Sequence, residues 1–223
     1  MLLGVKPLAF LARLLFFFAL VYVLWEPFAP AYTRLLGALT HAAIGLTELF
    51  GSEATRSATI VFTRGNGIFF AHRLFPALTP PGIPADWVQA NMVLLIPLML
   101  ATPAPTLKAR FLRLGLAILL ALSLQVLGLI VTIKTTWASD LGSFSALHYG
   151  WLQRKIYQFA DAFFQSFDTQ LFPVVIWAGI HFRQLISLAQ PAPQGTAPRV
   201  GPVDGRGRKQ RRAKRKQPAQ RSA

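Results

Sequence analysis

"LRLGLAILLALSLQVLGLIVTI" occupies residues 112–133, and its reading decides the class of the fold. Arg113 near its start is its only charge, and Gln125 is the polar group at its middle. About 20 predominantly apolar residues suffice for a helix to cross roughly 30 Å of hydrocarbon, so this stretch reads as a transmembrane span. Composition points the same way. Of 223 residues 53% are hydrophobic, 18 are Phe, and the mean hydropathy is +0.45, which is more apolar surface than a soluble domain of this length usually hides.

Three further spans are expected around this one. Residues 7–25, "PLAFLARLLFFFALVYVLW", end in Tyr22 and Trp25, placed for an interfacial belt. Residues 87–101 carry Gln89 and Asn91 near one end and Pro97 inside, which a bundle tolerates when neighbours satisfy the freed carbonyl. Residues 171–188 carry His181 and Arg183 toward their far end, where Arg183 can snorkel. Within the spans, Gln125 and Asn91 are the natural interhelical hydrogen-bond formers, most simply for packing. The expected fold class is therefore an all-α membrane protein of four transmembrane helices.

Lys and Arg set the orientation, because short loops rich in them stay cytoplasmic. Only 14% of residues are charged, yet the net charge is +15 and the pI about 11.4. Sixteen of the 23 basic residues fall at the N-terminus, in the 108–113 turn, at Arg183 and in the tail. The other seven share the two longer loops with seven of the eight acids, leaving those loops near neutral. Both termini are thus expected in the cytoplasm and both long loops outside, in the periplasm of a two-membrane bacterium, with the protein multi-pass in its inner membrane. A basic start, an apolar run and "APA" at residues 29–31 also fit a cleaved signal peptide, which would leave three spans. The length of the run and its terminal aromatics favour a retained anchor.

The first outer insert, residues 26–86, divides into three parts. Residues 31–53 place Leu35, Leu39, Ala42, Ala43, Leu46 and Phe50 at helical spacing and predict a separate amphipathic helix on the outer leaflet. "TIVFTRGNGIFF", residues 59–70, alternates apolar and small or polar residues around Asn66-Gly67 and predicts a β-hairpin turning at that pair. "PALTPPGIPADW" then excludes helix until the second span. The hairpin reads in two ways. Phe62, Asn66, Gly67, Phe69 and Phe70 form an outer-face docking element for an extended peptide, or Phe62, Phe69 and Phe70 hold a covering flap, the plainer reading. In the second outer segment, Trp151, Ile156, Phe159, Phe163, Phe164 and Phe167 recur at helical spacing. There His148, Tyr149, Arg154 and Asp161 form a candidate polar cluster, with His41, His72 and Glu48 within conceivable reach; interfacial anchoring is the plainer role.

Chemistry is weakly signalled. With no Cys there is no thiolate nucleophile, no disulfide and no cysteine metal site. His41, His72, His148 and His181 show no close metal-ligand spacing, no Gly-x-Ser-x-Gly elbow occurs, and "RGNG" is no phosphate loop. No catalytic residue, cofactor or metal is expected, and a cysteine-independent membrane enzyme or a transporter is only a third reading.

Residues 190–223 change character. A Pro/Gly-rich linker leads to "RGRKQRRAKRKQ", too polar to offset the entropy of ordering, so this domain is expected to be a disordered cytoplasmic tail following a helical membrane domain of residues 1–189. Arg206, Arg208, Lys209, Arg211, Arg212, Lys214, Arg215 and Lys216 suit anionic lipids, or nucleic acid in a membrane-tethered binder of RNA or ribosomes. The absence of interleaved aromatics argues against sequence-specific base recognition.

The order of "LLFFFALVYVLWEPFAPAYTRLL" (residues 14–36), an outer insert, "LLIPLMLATP" (94–103), a basic turn, a long span with Gln125 and "FPVVIWA" (172–178) resembles the exosortase-associated membrane proteins, especially those accompanying the exosortase H type of protein-sorting system. The resemblance covers about residues 8–188 and rests on segment order. It implies a non-enzymatic accessory or scaffold that partners a sorting enzyme or an exported, C-terminally tagged protein at the outer face. Exosortases use an intramembrane Cys with Arg and His, and this chain has no Cys to supply that role.

Overall fold

The computed structural model describes residues 7–49, 59–65, 67–75, 79–167 and 171–189. The chain divides into Met1–Leu188 and Ala189–Ala223, and the basic tail lies outside the described residues. The first unit is mostly helical with one small sheet: α1 (Pro7–Leu49), β1 (Thr59–Arg64), β2 (Gly67–His72), β3 (Gly82–Pro84), α2 (Ala85–Ala101), α3 (Leu107–Asp140), α4 (Ser143–His148), α5 (Trp151–Phe167) and α6 (Leu171–Ala189). Helices α1 and α3 are each long and apolar enough to cross a bilayer; α2 and α6 carry the shorter apolar stretches Val88–Ala101 and Leu171–Phe182.

Helix α3 is the axis of the bundle. Its N-terminus is capped by the Thr106 hydroxyl, which accepts from the Ala109 amide at 3.1 Å. Its other end stops at Gly142, whose φ of 58° needs no Cβ, and at Ser145, which donates to the Trp137 carbonyl at 2.8 Å and accepts from the Leu141 amide at 3.0 Å. Between the caps, Ala117, Ala121, Gln125, Leu129, Ile133 and Trp137 form the buried stripe. At a rise of 1.5 Å per residue α3 runs about 51 Å and α1 about 65 Å, both longer than the roughly 30 Å of hydrocarbon. The excess of each helix brackets the sheet at one end of the bundle.

The first insert differs from expectation in four respects. No separate amphipathic helix starts after Pro30; α1 is one helix of 43 residues with Pro27 and Pro30 inside it. Each proline deletes one backbone rung, but here Gln89 of α2 donates to the Ala29 carbonyl at 3.3 Å and to the Thr33 hydroxyl at 2.7 Å, so the proline turn is tied from outside the helix. The face that packs is also another one. Thr33, Leu36, Thr40 and Ile44 are buried, while Leu35, Leu39 and Leu46 are exposed. Small and hydroxylated residues let neighbours approach closely, and Leu35, Leu39 and Leu46 turn outward.

The sheet has three strands in the order β1-β2-β3, all antiparallel, where sequence predicts two. Arg64 pairs with Gly67, so Gly67 belongs to β2 and the turn opens at Gly65, one position earlier than the predicted Asn66-Gly67. Gly65 supplies the positive φ of 58° that the first turn position of a primed hairpin requires. Asn66 lies outside the described residues. Phe70 and Ile68 face the core, with the Phe70 ring edge-on to Trp137 at 5.3 Å, and the Trp137 indole donates to the Thr59 hydroxyl at 3.1 Å. Strand β1 lies against α1, where the Thr63 methyl sits 2.6 Å from the place a Cβ on Gly37 would take.

Helix α5 repeats the outward orientation of α1. It has no buried residue, and Trp151, Leu152, Ile156, Phe159 and Phe163 are exposed. Its polar groups turn to α3: Thr132 donates to Asp161 at 2.6 Å, Gln158 to Ser139 at 3.3 Å, and Thr135 to the Tyr157 carbonyl at 3.0 Å. In water such a helix would bury the other face. Helix α6 starts level with Gln125, where Phe172 and Pro173 meet α3, and descends past Thr102, whose hydroxyl accepts from the Trp177 indole at 2.8 Å.

Gly37→Val drives two methyl groups into the α1–β1 contact and is expected to destabilise the fold by about 1–3 kcal/mol. Gly45→Ala, with no atom within 4 Å of the added carbon, is expected to be neutral or slightly stabilising. Apparent melting temperatures in detergent measure the pair.

Candidate functional site

Three helices are held together near the sheet by buried polar groups. Gln125 of α3 accepts from the Tyr32 hydroxyl of α1 and donates to the Val88 carbonyl of α2 at 2.7 Å. Half a turn away Gln89 accepts from the Trp25 indole at 3.3 Å while its amide nitrogen serves Ala29 and Thr33. Gln125 is 2% and Gln89 5% exposed, so water does not replace these bonds. Gln125 thus sits in an interhelical hydrogen bond of the kind its place in the span suggests.

This junction forms the back of a groove between α1 and α2. On α1, Phe18, Tyr22, Glu26, Pro30 and Arg34 follow one another at intervals of four and make one ridge of its wall. Asp86, Gln89, Ala90 and Val93 of α2 make the other wall, and Thr63 and Gly65 close the end beneath the sheet. Its volume is about 1160 Å³. The chemistry is graded along its length: Phe18, Tyr22, Val23 and Val93 line one end, and exposed Glu26, Arg34 and Asp86 rim the other. Such a groove accepts an apolar segment whose polar or charged continuation emerges at the rim.

The residues singled out in the sequence lie elsewhere. Phe62 and Phe69 stack at 5.8 Å on one face of the sheet, and the Phe69 ring covers the positions where a Cβ on Gly82 or Gly67 would stand, at 2.5 and 2.9 Å. Phe70 is on the opposite face, buried against Trp137. The outward edge of β1 is occupied by α1, with the Val61 amide 3.4 Å from His41 Nδ1. The other edge, β3, is three residues long and ends in Pro84, features that discourage strand addition.

The residues of the second candidate cluster stand in different settings. His148 is exposed and stacks on Phe144 at 4.0 Å. Tyr149 is buried with Leu129, Ile133 and Ala138 in the core. Asp161 is held by Thr132 and Gln165, and Arg154 starts α5 with its amide on the Gly150 carbonyl. His72, packed among Trp137, Phe75 and Phe144, shares the Phe144 ring with His148 of α4, while His41 stands beside β1 and His181 on the Trp177 carbonyl. Among the described residues no three His, Asp or Glu side chains come close enough to hold a metal. The eight tail residues from Arg206 to Lys216, and the side chain of Glu48, lie outside the described residues.

Sequence reasoning missed the groove because its walls are sixty residues apart and because Pro27 and Pro30 read as the end of a helix. The one signal available was the four-residue spacing of Phe18, Tyr22, Glu26, Pro30 and Arg34, which runs unbroken through both prolines. No protein-family model, curated protein or solved structure matches the chain.

Gln125→Leu removes the hydrogen bond from the Tyr32 hydroxyl to Gln125 and loosens the α1–α2–α3 junction, at a cost of about 1 kcal/mol. Tyr32→Phe added to it is expected to cost less than the sum of the two single changes, in a double-mutant cycle read by thermal unfolding in detergent.

Proposed function

We infer that this chain is a non-enzymatic membrane accessory that docks a segment of another membrane or exported protein in the α1–α2 groove. In this reading α1, α2, α3 and the α5–α6 pair all cross the inner membrane of a bacterium. The sheet stands on the outer side, with both termini and the α2–α3 turn in the cytoplasm. The crowding of Lys108, Arg110 and Arg113 in that short turn supports the orientation, as does the near-neutral charge of the two long loops. The outward aromatic face of α5 supports the lipid setting.

The observation that carries the docking role is the grading of the groove. Its apolar end lies beside α1 residues of the expected first span, and its charged rim sits under the sheet. A partner helix or lipid-embedded tail fits the first part, and the soluble segment leading into it meets Glu26, Arg34 and Asp86. Aromatic and Arg side chains are the residue types that most often anchor such contacts, and Phe18, Tyr22, Trp25 and Arg34 supply them. The order of segments that resembles the exosortase-associated proteins makes a sorting enzyme of that type, or its exported substrate, the partner we propose. The basic tail, Arg206 to Lys216, then serves as a lipid-facing anchor; a role in holding RNA or ribosomes is the alternative.

A photoreactive amino acid at Tyr22, inside the groove, tests this in cells against one at Leu119 on the exposed face of α3. Tyr22 is expected to capture a defined membrane or exported protein, the Leu119 control not, and the paired reversal Glu26→Lys with Asp86→Lys is expected to reduce capture to background. Truncation after Ala189 is expected to leave capture intact. Loss of capture with the tail, or equal capture at both positions, contradicts the groove as the docking site.

A further inference from the structure

At the end of the bundle opposite the sheet, α1 and α3 leave a second cavity of about 510 Å³ between Ala12, Arg13, Phe16, Phe17, Leu100 and Arg110. Its walls are aromatic and aliphatic, and its polar groups are two guanidiniums. Arg110 Nε is buried with no hydrogen-bond partner; Arg113, one turn further along α3, does not line the cavity. A buried cationic donor without a partner is costly, so the arrangement lacks an anion.

No described carboxylate stands there. Among the described carboxylates, Glu26 and Asp86 rim the groove under the sheet, Asp161 is held by Thr132, and Asp140 ends α3 on the sheet side. Lys108, Arg110 and Arg113 also occupy the first two turns of α3, where the helix dipole disfavours positive charge, and no acid stands in its first turn. Three cations at the positive end of a helix repel one another and the dipole unless an external anion offsets both.

We propose that this cavity binds the phosphate of an anionic phospholipid, with Arg13 and Arg110 gripping the headgroup and Phe16, Phe17 and Leu100 packing on an acyl chain. The guanidinium fork suits bidentate phosphate contact, and an apolar wall beside it suits a lipid tail, which free phosphate lacks. The site shares no residue with the docking groove or with the basic tail, and it does not depend on which side of the membrane this end occupies.

The test uses the full-length protein in detergent and native mass spectrometry with dioleoyl-phosphatidylglycerol, dioleoyl-phosphatidylcholine and inorganic phosphate as probes. One phosphatidylglycerol is expected to be retained in preference to phosphatidylcholine. Arg110→Gln and, separately, Arg13→Gln on the exposed face of α1 are expected to weaken that retention about tenfold, and Arg110→Lys by less. A tail variant, Lys209→Gln with Arg211→Gln and Arg212→Gln, is expected to keep it. Equal retention of the two lipids, insensitivity to both Arg13 and Arg110, or dependence on the tail alone overturns the proposal. Displacement of the lipid by inorganic phosphate at comparable concentration would assign the site to free phosphate and overturn the lipid assignment.

Discussion

A buried amide that water cannot reach must find its partners in neighbouring helices, and in this protein two such amides decide how the helices meet. Gln125 joins α3 to Tyr32 of α1 and to the backbone of α2; Gln89 joins α2 to the proline turn of α1. Together they fix α1 at the one place where its own backbone ladder is broken. With α1 held there, its ridge from Phe18 to Arg34 stands opposite α2 at the spacing that opens the groove, and its upper part reaches the sheet. The apolar clusters on either side, Leu36–Ile68–Phe70–Ile133 toward the sheet and Met92–Leu95–Ala121–Ile176 away from it, pack around this polar waist.

The two ends of the bundle then carry different chemistry. The sheet end is tied by aromatic contacts, with Trp137 receiving Phe70 and His72 edge-on and hydrogen-bonded to Thr59. The opposite end concentrates cations on α1 and on the first turns of α3, with aromatic rings between them. In the proposals made here, a protein segment docks in the groove below the sheet and a lipid phosphate binds at the opposite end.

Much of the architecture is legible in the sequence because hydrocarbon selects strongly on hydropathy. The expected spans at 87–101, 112–133 and 171–188 fall within or nearly coincide with α2, α3 and α6, and Gln125 stands out as the polar group of its stretch. What is not legible follows from two assumptions that this chain does not obey. Proline is read as a helix breaker, yet Pro27 and Pro30 stay inside α1 because Gln89 bonds the same turn from a neighbouring helix. The apolar face of an amphipathic segment is read as the packed one, yet Leu35 and Leu39 of α1 and Phe159 of α5 face outward while Thr33, Thr40 and Asp161 make the contacts. The third strand is three residues between prolines and carries no periodic signal, and the hairpin turn differs by one residue because Gly65 can take positive φ as readily as Gly67. The groove combines residues 26 and 34 with 86 and 89, a juxtaposition that only the packing of α1 on α2 creates.

The account rests on the helices threading a bilayer with the sheet on one side and the α2–α3 turn on the other. Because the chain has no cysteine, single Cys substitutions report cleanly. Arg64→Cys and Lys108→Cys, each treated in intact cells with a membrane-impermeant maleimide, measure the arrangement directly. Labelling of the first in intact cells, and of the second only after permeabilisation, is the result predicted here; labelling of both positions in intact cells, or of Lys108→Cys alone, would contradict it.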